Sequence, residues 1–131
     1  MLHPSQFQVN EAWIAFKLNE VPVATKADGD FNVIALMDAA SCFILGSEFV
    51  PAGATDLSAI QARRLLKTGE SHKHRLPRTL FISTDHPANA LRNEAERRGI
   101  AVMRVSIEQL LPFINEARVG FKEHFGGDRL Q

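Results

Sequence analysis

Between Arg78 and Ser106 the chain reads RTLFISTDHPANALRNEAERRGIAVMRVS, and its apolar period changes twice within that stretch. Thr79 to Ser83 is a short apolar run rich in β-formers. Asp85-His86-Pro87 follows as a helix start, with Asp85 as the capping acid and the proline near the first turn. Ala88, Leu91 and Ala95 repeat at i, i+3 and i+7, one apolar stripe on a helix. Gly99 stops that helix, because glycine takes the left-handed position after a helix without penalty. Ile100 to Val105 is apolar and β-branched again. Two strands joined by a helix in this way lie parallel with a right-handed crossover, so the class is α/β.

The preceding sequence adds three strands and a helix. Trp13 to Leu18 is the first strand, and Phe31 to Met37 the second. Val33-Ile34-Ala35-Leu36-Met37 shows no polar alternation, which predicts a strand covered on both faces. Asp38 to Ser41 is a turn and Cys42 to Val50 a third strand, close enough to require a hairpin. Ser58-Ala59-Ile60-Gln61 is a capping box that opens a helix with Leu57, Ile60, Leu65 and Leu66 on its apolar face. Gly69 is expected to close it, leaving residues 70–77 as a polar loop. A second capping box, Ser106 to Gln109, opens a last helix striped by Leu110, Ile114, Ala117, Phe121 and Phe125. Pro112 lies inside it, so either the main helix starts near Pro112 or it kinks there. Gly126-Gly127 ends it, and residues 1–11 read as a polar lead-in. A hairpin followed by two helical crossovers predicts a mixed sheet of order 3-2-1-4-5, helices on both faces, with the first strand central.

At 131 residues the chain fits one domain, with its core over 12–125. Hydrophobic residues at 45 % and charged residues at 23 % are the proportions of a globular protein. No apolar run approaches the roughly 20 residues of a membrane span, so no membrane partner is expected. The start, Met1-Leu2-His3-Pro4, lacks the basic-then-apolar pattern of a signal peptide. The single cysteine, Cys42, excludes an internal disulfide and fits a reducing cytoplasm; its strand-like surroundings predict a small buried hydrophobe.

Three short motifs sit on these elements. Trp13-Ile14-Ala15-Phe16 is on the first strand. Asp38-Ala39-Ala40-Ser41, then Ile44-Leu45-Gly46, spans the hairpin. Ile82-Ser83-Thr84-Asp85 closes the fourth strand. Together with the element order they resemble the ribonuclease H-like fold shared by ribonucleases H, retroviral integrases and DDE transposases. That resemblance implies two divalent metals about 3.5–4 Å apart, bracketing a phosphodiester, held by at least three carboxylates. The bridging carboxylate belongs on the first strand, where this chain has Phe16, and no acid occurs between Glu11 and Glu20. Asp38 cannot replace it, because an antiparallel neighbour puts the end of strand two beside the start of strand one. Asp85 matches the second aspartate, and Glu116 or Glu123 would be the helical carboxylate. The resemblance therefore implies a catalytically degenerate member with no cofactor and no metal, Asp85 and Glu116 being the only weak catalytic candidates.

Five histidines occur, at 3, 72, 74, 86 and 124. His72 and His74 have zinc-ligand spacing, but Lys73 and Arg75 repel a cation. His86 beside Asp85 has the composition of an acid–base pair, yet neighbours at a helix start are expected to point apart. No phosphate loop, dinucleotide fingerprint, nucleophile elbow or metalloprotease helix occurs. The net charge is zero, but residues 1–57 hold seven acids and two bases, and residues 58–131 eight acids and thirteen bases. Arg63, Arg64, Lys67, Lys73, Arg75 and Arg78 concentrate that excess against Glu70 alone. Such a stretch suits sequence-blind phosphate contacts, self-association with an acidic half, or a solvated face. Arg97-Arg98 complement a helix dipole. The function expected is a non-enzymatic binding domain with an unknown protein partner or a second copy. The alternatives are a nucleic-acid-binding module and a nuclease with a rearranged carboxylate set.

Overall fold

The computed structural model describes residues 2–20, 22–24, 29–54 and 56–123. Among these residues five strands form: β1 (Ala12–Lys17), β2 (Phe31–Asp38), β3 (Ile44–Pro51), β4 (Thr79–Ser83) and β5 (Ala101–Val105). The helices are α1 (Ala59–Lys73), α2 (Asn89–Arg97) and α3 (Ile107–Phe121). The sheet order is β3-β2-β1-β4-β5, as the hairpin and crossover signals require. β1 runs antiparallel to β2, with Trp13 opposite Asp38 and Lys17 opposite Ile34. On its other side β1 is parallel to β4, with Ala12 opposite Thr79.

Both faces of the sheet are covered, and β1 shows why alternation is missing from its sequence. Trp13 and Ala15 point to one side, into a core built with Leu65 and Leu66 of α1 and Leu91 and Ala95 of α2. Ala12, Ile14 and Phe16 point to the other, into a core built with Leu110, Phe113 and Ile114 of α3. β2 divides in the same way, Leu36 toward α1 and Ala35 and Met37 toward α3.

The capping box at Ser58 forms with both of its hydrogen bonds, and Gly99 (φ +80°) ends α2 as expected. Gly69 does not end α1. The helix continues to Lys73 and turns at His74, whose φ of 62° is left-handed, so residues 70–73 are helical rather than loop. Gly69 faces the sheet, where a Cβ would lie 2.7 Å from Cη2 of Trp13 and 2.9 Å from Cδ2 of Leu36. Its lack of a side chain is what lets α1 settle onto the buried indole.

Asp85 is not the cap of α2, which begins four residues later, after Ala88. The acid at that helix start is Asp56: its Oδ2 accepts the Ala90 N–H at 3.0 Å and its Oδ1 the Leu57 N–H at 2.7 Å. A tertiary neighbour thus meets the helix's free amides, a solution no local motif reveals. At α3, Ser106 occupies the cap position but its side chain makes no capping bond, so the second box does not form. The helix starts at Ile107 and runs through Pro112, without the delayed start expected there. Phe125, Gly126 and Gly127 lie outside the described residues.

Cys42 sits in the β2–β3 turn at φ +59°, half-buried, because β3 begins only at Ile44. Burial raises its thiol above the ordinary range, and the charges of Asp38 and Glu116 push it further up. Nor are residues 2–11 a mere lead-in. They carry a 3₁₀ turn, Pro4–Gln6, and Phe7 packs at 5.7 Å from Phe81 and 6.0 Å from Phe113. No helix among the described residues is long and apolar enough to cross a membrane.

Candidate functional site

Where parallel strands end, the chain turns away on both sides and leaves a crevice at their carboxyl edge. Here the ends of β1 and β4 open into a cleft of about 490 Å³. Phe16, Lys17 and Glu20 come from β1 and its exit, and Asp56 and Leu57 from the approach to α1. Ser83, Asp85 and His86 come from the exit of β4, and Ile107 and Arg118 from α3.

Three interactions fix its walls. Arg118 donates to the Lys17 carbonyl through Nε at 3.1 Å and Nη2 at 3.0 Å, joining α3 to the end of β1. Arg104 Nη1 donates to the carbonyls of Ser83, at 2.8 Å, and His86, which holds the β4 exit turn. The Ser83 hydroxyl donates to Oδ1 of Asp85. That hydrogen bond is the main reason the exposed Asp85 carboxyl lies below its ordinary range; His86 and Lys17 act in the same direction.

Asp85 and His86 line one cleft instead of pointing apart, because they occupy a turn and not a helix start. Burial depresses the His86 imidazole, Arg104 adds to the effect, and Asp56 and Asp85 oppose it. His86 thus binds a proton less readily folded than unfolded. Its contribution to stability is complete above the unfolded value near 6.5 and is lost as pH falls through the lower folded value. Denaturant titrations from pH 7 downward should show that loss, with a shallower fall in His86→Gln; an unchanged slope would contradict the burial of the neutral ring.

Glu116 is absent from this cleft. Arg118 faces it, and Glu116 lies about 200° round the helix, where its charge reaches the thiol of Cys42. Asp38 is fully buried at the opposite pole, accepting from Asn10 N at 2.6 Å, Ser41 N at 3.0 Å and Ser41 Oγ at 2.8 Å. The cleft residues do not fit a two-metal centre. Phe16 is buried where the resemblance calls for the bridging carboxylate, Lys17 and Arg118 put cations beside Glu20, and both oxygens of Asp56 hold backbone amides. Among the described residues, no three His, Cys, Asp or Glu side chains converge to hold an ion.

The six bases singled out in the sequence are divided. Arg63, Arg64 and Lys67 share the outer face of α1, and Lys73 is its last residue. Arg75 and Arg78 are exposed near the amino end of β4, at the pole away from the cleft. Arg64 grips Glu48 of β3 through Nε at 2.8 Å and Nη2 at 2.6 Å. Glu94, 4 % exposed, is approached by Arg98 at 2.8 Å, Arg97 at 3.5 Å and Arg63 at 3.7 Å. The 94–97–98 spacing carried that signal, since i+3 and i+4 neighbours meet on a helix. The acidic surplus of the first half is largely engaged: Asp38 and Asp56 hold amides, Glu48 holds Arg64, and Glu11 accepts the Gln8 N–H. His72 lies edge-on to Phe43, ring centroids 5.5 Å apart, and His74 caps α1.

No family model and no curated protein matches the sequence. Solved structures do match the fold. The catalytic domain of Mos1 mariner transposase superposes with a TM-score of 0.59 at 12 % identity, over 89 % of this chain and 61 % of that one. The catalytic core domain of BIV integrase gives 0.56 at 13 %, over 91 % and 73 %. A chain of the simian T-cell lymphotropic virus intasome in complex with PP2A regulatory subunit B56 gamma gives 0.58 at 11 %, over 88 % of this chain. This chain spans 39 % of that intasome chain's length. With the observed strand order, these matches establish the ribonuclease H-like fold expected from the sequence.

Proposed function

We propose that the chain is a non-enzymatic binding domain on a ribonuclease H-like scaffold. The observation that carries this reading is the end of β1. There Phe16 is committed to the core against α3, and the Lys17 carbonyl is clamped by Arg118. Two-metal phosphodiester chemistry requires negative charge at that point to bridge the ions, and the strand supplies an aromatic ring and a cation there, with Arg118 beside them and Glu20 only past the strand's end. Asp85 is the one acid of the family pattern that the cleft retains, and its nearest hydrogen bond is to Ser83. The single thiol suits a reducing cytoplasm, and one domain spanning residues 1–131 suits the continuous sheet.

Incubation with DNA, RNA and an RNA–DNA hybrid in Mg²⁺ or Mn²⁺ tests the reading. All three substrates should stay intact. Cleavage that disappears in Asp85→Asn would overturn it and support a nuclease with a rearranged carboxylate set.

A further inference from the structure

Helix α1 packs on the sheet through Ala62, Leu65, Leu66 and Gly69. The opposite stripe, at the same helical spacing, is Ile60, Arg63, Arg64, Lys67, Thr68 and Ser71, and it lines a shallow groove of about 320 Å³. Ile60 is 66 % exposed, an aliphatic side chain left in water one turn before the bases. Lys67 has no ion pair among the described residues. The arginines are braced from below by Glu94 and Glu48, which fixes their direction while leaving them about half exposed. Counting Arg97 and Arg98 around the same Glu94, and Glu70 one turn after Lys67, five bases face three acids here, a surplus of two on a chain that is neutral overall.

We infer that this outer face of α1 docks an acidic peptide segment of a partner protein, one whose carboxylates lie about one helical turn to one side of an aliphatic side chain. The inference rests on the reading of the chain as a binding domain and names the partner's chemistry. Charge complementarity supplies the attraction, and Ile60 supplies what a peptide can cover and a phosphodiester backbone cannot. Among the described residues, the groove is lined by no aromatic ring on which a base could stack. The basic track lining the groove is also short: Arg63 to Lys67 covers about 6 Å of helix, and Arg75 and Arg78 do not line it. A peptide with two or three carboxylates matches that length, whereas nucleic acid gains affinity from many phosphates in line.

The experiment is a fluorescence anisotropy titration with three labelled probes: a peptide with one leucine to one side of its glutamates, its glutamine counterpart, and a duplex oligonucleotide. The glutamate peptide should bind tightest. Its affinity should fall about tenfold or more in Lys67→Glu, where attraction becomes like-charge repulsion, and fall also in Ile60→Ser. Arg75→Glu and Arg78→Glu, which do not line the groove, should leave it unchanged. Circular dichroism of each variant separates lost binding from lost fold. Tighter binding of the duplex, or binding of no probe, overturns the inference in favour of a nucleic-acid face or a solvated one. Either result leaves the nuclease assay unaffected, so this inference and the reading beneath it fail separately.

Discussion

Asp38→Ala should be among the most damaging single substitutions in the molecule, costing about 3 kcal/mol or more. The carboxylate is fully buried and accepts three hydrogen bonds, two from the backbone amides of Asn10 and Ser41 and one from the Ser41 hydroxyl. Alanine leaves those donors inside the protein with no acceptor, and a stranded buried donor costs about 1–3 kcal/mol. The loss propagates, because Asn10 Oδ1 accepts the Trp13 indole N–H at 2.7 Å. Trp13 is the only tryptophan, so its fluorescence during urea unfolding reports the effect directly. Asp38→Asn keeps the shape and one acceptor, and should lose about half as much. A stability change under about 1 kcal/mol for the alanine variant would show that these bonds are replaceable by water.

Gly69→Ala should destabilise the protein by about 1–3 kcal/mol, reversing the usual sign of the substitution. In an ordinary helix interior the same change stabilises by roughly 0.5–1 kcal/mol, since glycine loses more backbone freedom on folding. Here the new methyl would meet the Trp13 ring at 2.7 and 2.9 Å and a Leu36 methyl at 2.9 Å. Both neighbours are fully buried, so neither can swing aside without disturbing the core. Combining Gly69→Ala with Trp13→Phe should cost less than the two changes added separately, because the smaller ring vacates the colliding edge. A gain in melting temperature from Gly69→Ala alone would refute the close approach of α1 to β1.

These two glycine and aspartate positions mark where the sequence was readable and where it was not. Sheet order followed from a hairpin signal and two crossovers, both local patterns joined by a chirality rule. Gly99 was legible because its conformation serves its own neighbours. Gly69 was not, since a helix-ending glycine and a glycine that admits a neighbour look identical until Trp13 is placed across from it. The cap of α2 failed for the same reason: Asp85 has the right local spacing, but Asp56, 34 residues before Ala90, reaches the amide first in space. In the cleft, the lack of an acid along β1 was visible from Phe16 and its neighbours. Arg118 was not, because only the assembled sheet decides which side of α3 faces the end of β1. The basic run read as one patch along the chain, and the extra turn of α1 beyond Gly69 helps to divide it.

The amino-terminal segment carries a practical lesson about where this fold can be trimmed or joined to other proteins. Asn10, at φ +65°, hydrogen-bonds to the Arg75 carbonyl at 3.2 Å as well as to Trp13 and Asp38, so it fastens the start of β1 to two distant parts of the chain. Phe7 closes the α3 side of the core from outside the sheet. Cutting at the first strand would therefore remove a latch and a lid together, although the deleted stretch contains little regular structure. A tag or a fused partner belongs upstream of Pro4, and deletion libraries designed from strand boundaries alone would discard the residues that keep the sheet shut.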